Sequence, residues 1–139
     1  MQLIVPVNYL AIFVCGVISV GLGVVWHSPI ILGKTWLEEI ERSDDELKKD
    51  FNPFRTHGLS FIGNLFIAYS LAQLLANCGV NTIIEGIRIS FLCWIGFVLA
   101  PMFTNSLFQG RFTWMILVDS GYHLMVLLVF GVVLGAWTI

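Results

Sequence analysis

The sequence predicts an all-α integral membrane protein: a four-helix bundle with a short amphipathic, polar helical segment in its first cytoplasmic loop. Three observations carry that expectation. Charged residues make up 12% of the 139 residues and hydrophobic ones 58%, whereas an ordinary soluble domain carries about 25% charge. Mean hydropathy is +0.88, and the apolar residues fall in four long runs, each near the ~20 residues that cross a hydrocarbon core of ~30 Å. The charges are also segregated: five of seven Lys/Arg and seven of nine Asp/Glu lie between Lys34 and Arg55. So few charges elsewhere would not cover a soluble surface, and a lipid bilayer removes the need. The length allows a single domain, residues 1–139.

The first span is read at about residues 7–26. It carries no charge and ends in Trp26-His27-Ser28-Pro29, where a tryptophan suits the interface and Pro29 disfavours helix at Ser28. The N-terminus has no basic n-region and no small-x-small cleavage site, so this run is expected to be a retained span rather than a signal peptide. A polar loop follows at 34–57. Within it Ser43-Asp44-Asp45-Glu46 predicts a solvated helix, with Ser43 as N-cap, Glu46 completing a capping box, and Asn52-Pro53 at its end. The second span is placed at 59–78, a tight turn at Gly79–Thr82, and the third span at 84–105. Pro101 should kink the third span by depriving the Phe97 carbonyl of its donor. After a loop at Ser106–Arg111, the fourth span covers about 113–137.

Four spans put the 34–57 loop and Arg111 on one side and the termini on the other. The loops of the first side hold six Lys/Arg and those of the second none. The positive-inside rule therefore predicts a multi-pass protein of a bacterial inner membrane, with the long loop cytoplasmic and both termini outside. A net charge of −2 gives no reason to expect a nucleic-acid partner. Cys15, Cys78 and Cys93 have neither disulfide-framework nor zinc-site spacing and read as small hydrophobes. No nucleophile elbow or phosphate loop is present: Gly33-Lys34-Thr35 has a Walker ending, but Ser28 stands where the first glycine is required. The expectation is a non-enzyme without a cofactor.

The candidate site centres on Asp119 and His123, four residues apart and hence one turn apart on one helical face, with Tyr122 beside them. An acid and an imidazole inside a spanning run are costly unless they are paired, line water or do work. Odd spans end where even spans begin, so His27, Asn64 and Asn105 are expected at about the depth of Asp119. His123 should lie one turn, roughly 6 Å, deeper. This polar layer of His27, Asn64, Asn105, Asp119, Tyr122 and His123 has two readings: hydrogen-bonded packing, or handling of a proton or solute through Asp119 and His123. His27, Asp119 and His123 would make a three-ligand metal set, but the helix-borne spacing of a zinc site is missing, so no metal is expected.

Small residues recur at four-residue spacing on every span and mark local close contacts between helices: Ser19 and Gly23, Ala68 and Ala72, Gly96 and Ala100, and the Gly131–Gly135 pair. They exceed what one bundle must bury. The partners expected are therefore the lipid bilayer and further protein, as a homo-oligomer or as a subunit of a membrane complex. Two functions follow: a non-enzymatic structural or accessory membrane protein, or a small proton-coupled transporter or channel formed by oligomerisation and using Asp119 and His123.

Several short segments occur in a characteristic order: Asn8-Tyr9-Leu10, Trp26-His27-Ser28-Pro29 with Gly33 and Trp36, Glu85-Gly86, Thr104-Asn105-Ser106-Leu107-Phe108-Gln109-Gly110-Arg111, and Gly121-Tyr122-His123-Leu124. Together they resemble the small membrane family catalogued as domain of unknown function 1761, over nearly the whole chain and least in the charged loop. The resemblance implies a four-span architecture and no established activity. In that family the position of His27 is usually Tyr and that of Asp119 often Asn, which leaves His123 and Asn105 as the steadier site candidates.

Overall fold

The computed structural model describes residues 4–26, 53–110 and 114–138. Its elements are α1 (Tyr9–Trp26), α2 (Pro53–Asn77), α3 (Ile83–Trp94), a π-helical turn (Ile95–Leu99), α4 (Ala100–Phe108) and α5 (Trp114–Ala136). The third span is thus built from α3, the π-turn and α4 together, and with α1, α2 and α5 it makes four helices long and apolar enough to cross a membrane. No strand occurs among the described residues. The polar helix expected within 34–57 falls largely outside them. Where that loop was expected to persist to residue 57, α2 has already begun at Pro53. A proline opens a helix well, because its missing N–H is one the first turn leaves unpaired anyway.

Local chemistry explains the ends. The Asn8 side chain caps α1 by accepting from the Ala11 N–H at 3.1 Å. Two hydrogen bonds join Gln73 to the backbone of Val5, one from the Val5 N–H at 2.8 Å and one to the Val5 carbonyl at 3.0 Å. They tie the segment before α1 to the last turns of α2. At the end of α2, the Val80 N–H reaches the Leu75 carbonyl and the Gly79 N–H that of Ala76. Gly79 holds φ at +69°, a left-handed conformation that costs glycine little and closes the helix in a Schellman arrangement. Thr82 then caps α3 by accepting from Glu85.

Pro101 does not break the third span. The Ala100 N–H bonds to the Ile95 carbonyl, five residues back, so the backbone widens into a π-turn just before the proline. This relieves the clash a proline ring makes with the carbonyl four residues earlier.

α5 is the central element. It packs most extensively on α3 and also contacts α1 and α2, while α2 and α3 scarcely touch although only a tight turn joins them. The buried apolar core runs from Ala11, Ile12 and Cys15 through Ala68, Leu71 and Leu75 to Val126, Phe130 and Leu134. At the α3–α5 crossing, backbone meets backbone. A Cβ on Gly131 would lie 2.6 Å from the Gly86 carbonyl oxygen, and one on Gly135 would lie 2.5 Å from that of Thr82. A Cβ on Gly86 would collide with the Gly131 carbonyl oxygen, and one on Gly131 with Ser90 Oγ as well. The glycine hydrogens occupying those positions therefore point at oxygens, which is the geometry of Cα–H···O contacts. Ser90 Oγ is buried without a conventional hydrogen-bond partner among the described residues, and Gly131 is what it faces.

Candidate functional site

The polar layer is built around the turn of α5 from Val118 to His123. The Tyr122 hydroxyl donates to the Ser19 carbonyl of α1 at 3.1 Å and hydrogen-bonds with the Asn64 side chain of α2. It fits there because Gly23 has no side chain: a Cβ on Gly23 would be 3.3 Å from the phenol oxygen. Ser19 is fully buried, and its own hydroxyl donates to the Gly16 carbonyl at 2.6 Å. Asn64 is 5% exposed, so it spends its polar group inside the bundle rather than in lipid. Three helices thus meet at one phenol.

Two indoles complete the layer. Trp26 Nε1 donates to the Val118 carbonyl at 3.0 Å and Trp94 Nε1 to the Ser120 carbonyl at 2.7 Å. A helical carbonyl has two lone pairs, so it can take an indole N–H without surrendering its ladder bond. Gly121 makes room for the first of these, since a Cβ there would lie 3.1 Å from the Trp26 ring. Trp26, expected as an interfacial anchor, is in addition a hydrogen-bond donor that fastens α1 to α5. Trp94 and Ser120 were not singled out by sequence. An indole partner is invisible there, because the acceptors are backbone carbonyls that every residue carries.

The other expected members distribute as follows. Asp119 and His123 are half-buried on α5, and the His123 ring meets the Tyr122 ring edge-on with centroids 5.2 Å apart. Asn105 is exposed on α4, so it does not join Asn64 and Tyr122. His27 lies outside the described residues. Among the described residues no three His, Cys, Asp or Glu side chains form a metal-sized group.

The small-residue positions also divide. Ser19, Gly23, Ala68, Ala72, Gly131 and Gly135 lie in contacts within the bundle, whereas Gly96 and Ala100 are exposed and a Cβ on Gly96 would meet nothing within 4 Å. Of the apolar window in each span, 28–33% is buried in the first, second and fourth but 11% in the third.

Four membrane-length helices, of which α1 and α3 are each joined to α5 through side-chain hydrogen bonds to backbone carbonyls, define a multi-pass membrane protein. A family model described as "Protein of unknown function (DUF1761)" matches residues 10–135, and the chain belongs to that family. No curated protein and no solved structure matches it.

Proposed function

We propose that this protein is a non-enzymatic structural or accessory component of a membrane assembly, acting as a homo-oligomer or as a subunit of a larger complex. Its polar layer serves to hold helices together. The observation that carries the reading is the Tyr122 phenol shared between Ser19 and Asn64, flanked by the Trp26 and Trp94 indole bonds. Interhelical hydrogen bonds of this kind average about 0.6 kcal/mol each in a membrane, and their number fixes rotation and register of α1, α2 and α3 against α5. Assembly is supported by the third span, little buried within the chain and exposing Gly96 and Ala100. In this reading the 34–57 loop faces the cytoplasm of a bacterial inner membrane and both termini lie outside, as the Lys/Arg distribution favours.

A second reading is a small proton-coupled transporter or channel formed by oligomerisation, using Asp119 and His123. It is favoured by the half-burial of both side chains at a depth where ionisable groups are otherwise rare. Comparing His123→Gln with Tyr122→Phe separates the two. Under the structural reading Tyr122→Phe lowers thermal stability in detergent, and His123→Gln changes no ion movement. An intact His123→Gln oligomer with altered proton-linked flux would favour transport.

A further inference from the structure

The third span turns Gly86 and Ser90 inward against α5 and leaves its opposite face uncovered. Glu85, Arg88, Leu92, Gly96, Ala100 and Thr104 are all exposed on it. Four-residue spacing overshoots a 3.6-residue turn by about 40° per step, so Arg88 and Ala100 would stand about 120° apart on an unbroken α-helix. The π-turn at Ile95–Leu99 intervenes. Its wider turn takes up one extra residue and sets everything beyond it back by roughly 100°. The charged end of α3 and the small residues that follow are thereby brought onto one line, about 20° apart instead of 120°.

The chemistry of that line selects what covers it. Glu85 and Arg88 stand three residues apart near the start of α3, and among the described residues neither forms an ion pair. Arg88 lies five residues inside the helix start at Ile83, roughly 7.5 Å along the axis. A lipid phosphate can meet the guanidinium but is repelled by the carboxylate beside it. A protein surface offering a carboxylate to Arg88 and a cation to Glu85 at that depth satisfies both. Deeper in the span, a Cβ on Gly96 would meet nothing within 4 Å, so another helix can approach closely there, as α5 approaches α3 at Gly86. A second copy of the same face meets these requirements by symmetry. About a twofold axis along the membrane normal, residues of equal depth face each other. Gly96 and Ala100 then lie against their own counterparts, and Glu85 of each copy lies one helical turn in depth from Arg88 of the other.

We propose that two copies of this chain associate through the face of the third span that points away from α5, with reciprocal Glu85–Arg88 ion pairs at one end and close backbone approach at Gly96 and Ala100. The charges select a like partner, and the π-turn keeps them in line with the close-packing residues. This interface rests on the assembly reading above and assigns it a place on the molecule.

The test is energy transfer between donor- and acceptor-labelled copies of the full chain in phosphatidylcholine liposomes, with the dyes on an added terminal tag. Arg88→Glu leaves two acids on the face and Glu85→Arg leaves two bases, so neither variant can pair within itself or with its own kind. Each alone should lose transfer by about fivefold or more. Mixing the two variants should restore it, because each then meets the opposite charges. Gly96→Leu should lower transfer at unchanged helix content, whereas Gly21→Leu and Gly63→Leu, at exposed positions of α1 and α2, should not. Charge variants that lose no transfer, or that fail to recover on mixing, would overturn the interface. Strong transfer that falls only with Gly21→Leu or Gly63→Leu would overturn this face and leave assembly standing. An unsubstituted protein with no transfer beyond that of random encounters would overturn the interface and homo-oligomerisation together.

Discussion

Replacing Gly131 by alanine probes the contact that sets the α3–α5 crossing. The new methyl carbon would lie 2.6 Å from the Gly86 carbonyl oxygen and 2.9 Å from its carbon, where ordinary contact begins at 3.4 Å. Both obstacles are backbone of a packed helix, so no side-chain rotation relieves them and the helices must separate. Overpacking of this kind costs about 1–3 kcal/mol, and the high end applies because neither wall yields. Alanine's better helix propensity returns up to ~1 kcal/mol, leaving a net loss of about 1–2 kcal/mol. Gly86→Ala should behave alike, since its methyl meets the Gly131 carbonyl. Gly63→Ala and Gly21→Ala are the controls: a Cβ at either position meets nothing within 4 Å, so propensity alone acts and stability is unchanged or slightly raised. Reversible unfolding in mixed micelles, followed by tryptophan fluorescence, gives the four values. A Gly131→Ala protein as stable as its Gly21→Ala counterpart would refute the close-crossing argument.

Other outcomes follow from the same geometry. Tyr122→Phe removes the bonds to Ser19 and Asn64 and leaves a buried amide short of a partner; it should lower stability by about 1–2 kcal/mol in the same unfolding assay. Trp94→Phe keeps most of the ring but loses the donor to the Ser120 carbonyl, a loss of roughly 0.5–1 kcal/mol. Gly79→Ala forces a methyl into a left-handed turn and should cost about 1 kcal/mol, visible as faster amide exchange in the last turn of α2. In the proposed homo-oligomer, Ala100→Leu, on the exposed face of α4, should shift the protein toward monomer in cross-linking without changing its helix content.

The spans and their order were legible because they rest on length, apolarity and charge segregation, which a bilayer imposes on any sequence. The Gly131–Gly135 pair was legible as a close-packing site, though its partner, Gly86 and Ser90, was not: one glycine preceding an isoleucine and an arginine gives no sign of which helix it will face. Pro101 signalled a disturbed span, but a local widening rather than a kink alone absorbs it, since the choice depends on how the preceding turn redistributes its N–H groups. Of the polar layer, depth grouped Asn64 with Tyr122, and the two side chains lie beside each other in the structure. Depth could not supply rotation about the helix axis, and rotation is what leaves Asn105 exposed on α4 while Asn64 turns inward. The indole donors escaped notice for a related reason: tryptophans near span ends are ordinarily interfacial, and only the packed helices reveal which carbonyl lies within reach.

The most direct test of the claim that this layer fastens helices rather than moves protons is proton movement itself. The purified protein would be reconstituted in liposomes under an imposed pH gradient and read with an internal pH dye. The structural account predicts dissipation at the rate of protein-free liposomes, with and without His123→Gln. A protein-dependent flux that His123→Gln abolishes, with the oligomer intact, would contradict it.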